Sequence, residues 1–186
     1  EVLKGPQGTV FGKNTSAGVI NVITRRPSYT QSAEGEITVG NYGAWGVSGA
    51  YNDALGENAA FRVFATKRSR DGFMDINTAR GPRTVTEDGD QNFHSLRGQL
   101  LIEPTDKLDI NIIADYTSRE ENCCVGVQTV VGSTANIINA VGGPGSIAPF
   151  NPAGPFPQAA DPFARQAYAN RSTESDIKDK GISGEV

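Results

Sequence analysis

Glu1–Pro27 reads EVLKGPQGTVFGKNTSAGVINVITRRP. Glu1-Val2-Leu3 opens as a strand, Gly5-Pro6 is a turn pair, and Gly8 adds a second glycine. Thr15-Ser16-Ala17-Gly18 reads as one short turn. Val19-Ile20-Asn21-Val22-Ile23-Thr24 is a β-branched run that suits a strand. Pro27, after Arg25-Arg26, ends it, because proline cannot donate to a ladder. The predicted order is strand, glycine-rich loop, strand, stop. Gly12-Lys13 within that loop raises a phosphate-binding reading. A P-loop, however, needs Gly where Gln7 stands and Ser or Thr where Asn14 stands, and no G-x-G-x-x-G occurs here. The plain alternative is an ordinary strand pair joined by a tight loop.

The same stretch resembles the C-terminal end of the plug domain of TonB-dependent outer-membrane receptors. The resemblance rests on Glu1-Val2-Leu3-Lys4-Gly5-Pro6-Gln7-Gly8, on Phe11-Gly12-Lys13-Asn14, and on Ala17-Gly18-Val19-Ile20-Asn21-Val22-Ile23-Thr24-Arg25-Arg26-Pro27. It implies residues 1–27 as the plug end and residues 28–186 as the first part of a barrel wall. Barrels of this type have roughly 22 strands around a plugged lumen. The resemblance also implies energy-coupled uptake of a scarce nutrient, foremost a ferric siderophore, otherwise cobalamin, haem or a glycan. The energy would come from the TonB complex through a segment upstream of Glu1. The family usually has a basic residue before Gly-Pro, so Lys4 is expected to pair with acidic groups on the inner wall; a solvated lysine is the alternative.

The rest of the chain tests this independently. Period-two patterning begins after the polar link 28–33. Ile37 and Val39 share one face of 34–39, and Glu36 and Thr38 the other. After a turn at Asn41-Tyr42-Gly43, Trp45, Val47 and Tyr51 alternate with the small Ala44, Gly46, Ser48 and Ala50. Across 59–72, Phe61, Val63 and Ala65 alternate with Arg62, Thr66 and Arg68, while Phe64 breaks the pattern. Residues 73–90 read as a polar loop. Across 92–103, Leu96, Leu100 and Ile102 stand opposite Ser95, Arg97 and Gln99. The clearest strand is 107–119. Its Leu108, Ile110, Ile112, Ala114 and Tyr116 face away from Lys107, Asp109, Asn111, Asp115, Thr117 and Arg119, with Ile113 as the interruption. Residues 177–186 alternate again as the start of a sixth strand.

A soluble sandwich also buries one face and wets the other. Strands of about 10–13 residues are longer than usual and long enough to cross a bilayer when tilted. Connections alternate in length: 53–58 and 104–106 are short, 73–90 and 120–176 long, as in outer-membrane barrels; the short Asn41–Gly43 turn is the exception. Trp45, Tyr51, Phe93 and Tyr116 sit near strand ends like an aromatic girdle. The expected fold is all-β: a partial transmembrane antiparallel barrel of five to six strands, too few to close, with the end of a plug. Within 120–176, Ser133 or Thr134 is expected to cap a helix over 135–141 stopped by Gly142, and Asp161-Pro162 to start another over 163–170. Between them lies the Gly/Pro-rich 142–157. Connections of that length are functional or disordered, and ligand capture is the role expected of this one.

Net charge is −4 and pI near 5.0, which excludes a basic nucleic-acid binder. No run of eighteen apolar residues occurs, so no transmembrane helix is expected and strands would have to do the spanning. The chain starts without Met and ends in strand-like alternation, so an internal stretch of a longer protein is expected, with signal sequence, early plug and later barrel outside it. Arg62, Arg68, Arg97, Asp109 and Asp115 would face the lumen, where charge costs less than against lipid. Arg62 and Arg97, with Lys4, are the expected plug–barrel contacts. Cys123 and Cys124 are the only cysteines. Adjacent Cα atoms are about 3.8 Å apart, against roughly 4.4–6.8 Å in ordinary disulfides. A vicinal bond, partners elsewhere, and a metal site with Glu120 and Glu121 are the readings considered, the last without a second Cys/His cluster to support it. His94, the lone histidine, is placed on the outward face. No catalytic constellation, cofactor site or metal site is read, and no enzyme. The rival class is a non-transporting surface barrel, an adhesin or phage-docking protein, which would need no plug.

Overall fold

A computed structural model describes residues 2–12, 17–80, 82–127, 129–132, 134–142, 161 and 163–186. In chain order the elements are β1 (Val2–Lys4), α1 (Gly8–Phe11), β2 (Gly18–Ile20), β3 (Ser32–Val39), β4 (Trp45–Ala54), β5 (Ala59–Arg70), β6 (Met74–Asn77), β7 (Glu87–Asp88), β8 (Gln91–Thr105), β9 (Leu108–Asn122), α2 (Thr134–Gly142), β10 (Gln166–Tyr168) and β11 (Glu174–Glu185). The described residues are all-β apart from two short helices. Its main body is a six-stranded sheet in the order β11-β9-β8-β5-β4-β3, every neighbouring pair antiparallel. The sheet is open: β3 and β11 are its two edges.

The period-two reading is correct in register. Directly paired residues lie on one face of a sheet. The row Ala33, Tyr51, Val63, Gly98, Ala114, Ile182 crosses all six strands, as does the row Glu34, Ala50, Phe64, Arg97, Asp115, Gly181. The first row belongs to an apolar face and the second to a polar one. Among the described residues no second layer covers the apolar face: Ile37 and Ile182 are each 81% exposed and Val39 79%. The buried apolar side chains Ala50, Ala60, Ile76, Leu101, Ala135 and Ala167 are mostly alanines and do not form a core between stacked sheets. The described residues therefore do not form a sandwich.

β8 and β9 run 15 residues each, longer than expected, and a register irregularity between Ile102 and Thr105 carries β8 through Pro104. Proline sits at a bulge, where it has no ladder partner to lose. Several expectations need correction. β2 stops at Ile20 rather than running to Thr24, because the three-residue β1 supplies partners only for Gly18, Val19 and Ile20. Gly8–Phe11 is a helical turn, not loop. The 73–90 loop contains β6 and β7, which join β10 in a three-stranded sheet. The helix expected over 163–170 is a turn followed by β10: Asp161 Oδ1 accepts the Phe163 amide at 2.9 Å and Arg165 has φ 54°. Pairing with β6, including Asp75 N to Arg165 O at 2.8 Å, outweighs local helix preference. The connection expected over 120–176 is shorter, 123–173, because β9 and β11 zip up from Glu120 to Asn122 against Asp176 to Glu174. Ser133, Lys13, Asn14 and the Gly/Pro-rich stretch from 143 lie outside the described residues, while α2 starts at Thr134.

Candidate functional site: the charged wall and the loop junction

The link after β2 is fastened to the polar face at the short-turn end. Asn52, 1% exposed on β4, does most of this. Its Nδ2 donates to Ser28 O at 2.8 Å, Ser28 Oγ at 3.0 Å and Thr30 O at 2.8 Å, while its Oδ1 accepts the Ser28 amide at 2.9 Å. A buried side-chain amide fully used in this way fixes where the chain turns into β3. Arg26 then bridges two wall strands: Nη1 to Asp109 Oδ2 at 2.8 Å on β9, and Nη2 to Glu185 Oε2 at 2.9 Å on β11. The hydrogen bonds to Glu185 and then Asp109 raise the already high Arg26 pKa, so it is a permanent cation. Tyr29 donates its hydroxyl to Glu103 at the end of β8, and this bond lifts the phenol above its usual pKa.

Further along the polar face, Glu34 is shared. Its Oε1 pairs with Arg25 and its Oε2 with Arg62 at 3.3 Å. Arg97 pairs across strands with Asp115 at 3.1 Å. Thr24, Arg25, Arg62, Phe64, Arg97 and Asp115 line a cleft of about 310 Å³. Phe64, the residue that broke the alternation, therefore turns its ring toward the polar side. Gln99 also lines the cleft, and its Oε1 is buried without a partner among the described residues. Arg62 and Arg97 are thus brought together beside the end of the link. Lys4 lies exposed on β1 with no ion pair to the wall among the described residues; its carbonyl accepts Gln7 Nε2 at 3.4 Å. Arg25 and Arg26 make ion pairs with carboxylates of the sheet, the kind of contact that was expected of Lys4. Their signal was an Arg-Arg pair entering a wall whose polar face carries Glu34 and Asp109.

At the opposite end a buried polar knot joins the two long connections. Asp88, 0% exposed, accepts the Val125 amide on Oδ2 at 2.9 Å and the Thr173 hydroxyl on Oδ1 at 2.8 Å. Arg83, 5% exposed, donates Nη1 to Thr173 Oγ1 at 2.6 Å and Nη2 to Asp88 Oδ1 at 3.5 Å, so the threonine relays most of the coupling. Arg83 also donates to the carbonyls of Val85 at 2.7 Å, Glu87 at 3.0 Å and Arg171 at 3.3 Å. Gly89 N to Asn122 O at 2.7 Å and Cys123 N to Thr173 O at 3.1 Å close the seam. Charges buried at this depth persist only with such saturation of donors and acceptors. Neither residue was singled out by the sequence, since both sit in a stretch read as polar loop.

Cys123 and Cys124 are bonded to each other beside this knot, the vicinal arrangement among the readings considered from the sequence. Among the described residues no three His, Cys, Asp or Glu gather as a metal site. His94 lies on the apolar face, its ring 5.8 Å from that of Tyr116.

Comparison with known proteins agrees with the family resemblance read from the sequence. The chain is 31% identical over 109 residues to a ferrioxamine receptor of Yersinia enterocolitica, an alignment covering 56% of this chain and 15% of that protein. It is 50% identical over 30 residues to the pesticin receptors of Yersinia enterocolitica and Yersinia pestis, covering 16% of this chain and 4% of theirs. The chain thus spans a small part of the length of these relatives, all named as receptors and none as an enzyme. No family model matches the chain, and no solved structure does.

Proposed function

We propose that this chain, a relative of the TonB-dependent receptors, serves the energy-coupled uptake of a ferric siderophore of the ferrioxamine type across a bacterial outer membrane. The relation to a ferrioxamine receptor over 109 residues carries this reading. The sheet supports it in kind. Its bare apolar face suits lipid, and its charged face suits a hydrated lumen. In this reading residues 1–27 are the end of the plug and 28–186 the first wall strands. The knotted connections 71–90 and 123–173 lie at the outer mouth, where the longer one contributes to ligand capture.

The plug end is held to the wall mainly by Arg25 and Arg26, and Arg62 and Arg97 offer a cationic cleft to more of the plug. Lys4 stays free to meet acidic groups on strands that close the barrel. Partners implied are the TonB complex, acting through an upstream segment, the siderophore, and outer-membrane lipid.

The test is uptake of radio-iron ferrioxamine by cells whose only such receptor is the full-length protein. Uptake is expected, and it should stop when TonB is deleted. Accumulation that continues without TonB, or no ferrioxamine-dependent iron uptake at all, would refute the reading.

A further inference from the structure

The Cys123–Cys124 bond stands where β9 ends and the long connection begins, between two anchors into the buried knot. On one side the Cys123 amide donates to Thr173 O at 3.1 Å; on the other the Val125 amide donates to Asp88 Oδ2 at 2.9 Å. Between these anchors Cys124 has φ 76°, a left-handed backbone that residues with a Cβ rarely adopt. The vicinal bond closes a small ring through the 123–124 peptide and so restricts the rotations that would release this conformation. It thereby aims the next amide, that of Val125, at Asp88. Cys124 is exposed, so a reductant can reach it, while Asp88 is sealed.

We propose that Cys123–Cys124 is a thiol-exchange site that latches the 123–173 connection to the 71–90 loop. In the forward step a small-molecule thiolate attacks Cys124 Sγ. The Sγ–Sγ bond breaks, a mixed disulfide forms on Cys124, and Cys123 leaves as a thiolate that takes a proton. A second thiolate attacks the external sulfur of the mixed disulfide. Cys124 is released as a thiol, and the two reductant thiols leave as one disulfide, having supplied two electrons. With the ring open, Cys124 returns to a negative φ and the Val125 amide swings off Asp88. The seam from Asn122 to Val125 then parts from Gly89 and Thr173. The latch requires only the geometry of the loop junction and holds whichever nutrient is carried.

The experiment is hydrogen exchange on the purified full-length protein, oxidised and after dithiothreitol, with free thiols counted by alkylation. Oxidised protein should show no alkylation at Cys123 or Cys124. Reduction should raise exchange at residues 123–125 and 83–89 by about tenfold or more, as expected for a local opening. The double variant Cys123→Ser with Cys124→Ser should exchange at the reduced rate with or without dithiothreitol, which separates this bond from any other disulfide in the protein. Asp88→Asn should expose the same peptides while leaving both cysteines bonded. Alkylation of both cysteines without reductant, or unchanged exchange after both are free, overturns the proposal.

Discussion

Replacing Asp88 by Asn should loosen the junction of the two long connections by about two orders of magnitude. The substitution keeps shape and volume but removes the charge facing Arg83, whose side chain is 1% exposed. Breaking a buried pair costs about 3–5 kcal/mol because the surviving charge is left uncompensated. Here the lower end applies, since the Val85, Glu87 and Arg171 carbonyls remain as acceptors for the guanidinium. About 3 kcal/mol is roughly a hundredfold in an opening equilibrium at about 1.4 kcal/mol per decade. The new amide has one acceptor oxygen where the carboxylate has two, so it cannot accept from both Thr173 Oγ1 and Val125 N in the present arrangement, and one donor is orphaned.

The assay is amide exchange or limited proteolysis of the folded protein rather than its melting, because the knot lies outside the six-stranded sheet and opens locally. Removing the charge on both sides, Asp88→Asn with Arg83→Met, should recover part of the loss, which a double-mutant cycle reads directly. Exchange at 83–89 and 123–125 within threefold of wild type in Asp88→Asn would refute the assignment of Asp88 as the fastener.

Ile112→Arg places a charge on the bare apolar face and should cost about 2–4 kcal/mol in folding into bilayers, if that face meets lipid near the midplane. A polar-face control, Ile113→Arg, should cost much less; equal costs would contradict the orientation of the sheet. The Tyr29 phenol is raised above 10.0 by its bond to Glu103, so that contact is intact below pH 10.0 and is lost as pH climbs through the raised value. Phenolate absorbance, taken as wild type minus Tyr29→Phe, should therefore appear above pH 10.0 and move down in Glu103→Gln.

Most of the wall was legible in the sequence because a two-residue period with one face left uncovered has few explanations. Trp45, Val47 and Tyr51, or Leu108 through Tyr116, alternate whether or not their neighbours are known. What was not legible depends on partners distant in sequence. Asp88 is one aspartate among several in a polar stretch until β10, β11 and the end of β9 bring Thr173 and Val125 to it. Pro162 and the alanines and glutamine that follow it are those of a helix start, yet β6 offers an edge at Asp75 to Asn77 that only folding presents. Phe64 looked like a flaw in the alternation, and only the coordinates show that its ring lines the cleft with Arg62 and Arg97. The ion pairs of Arg25 and Arg26 were not legible for a similar reason. The resemblance drew attention to the lysine before Gly-Pro, whereas reach across the sheet belongs to the residues nearest its entry.

These placements imply a division of labour between the two ends of the sheet. At the short-turn end the fastenings of Arg25 and Arg26 are exposed ion pairs, with Arg26 and its partners 44–69% exposed. Such pairs contribute little individually and are screened by salt. At the other end the fastening is buried, saturated with hydrogen bonds and backed by a covalent bond. On the uptake reading proposed above, the exposed pairs suit a part that shifts, since water can replace them, and the buried knot suits a mouth that keeps its shape, since water cannot enter it. Asn52 marks the boundary between the two regimes. Its buried bonds to Ser28 and Thr30 anchor the link just before β3, so β3 is held in place independently of the exposed pairs of Arg25 and Arg26.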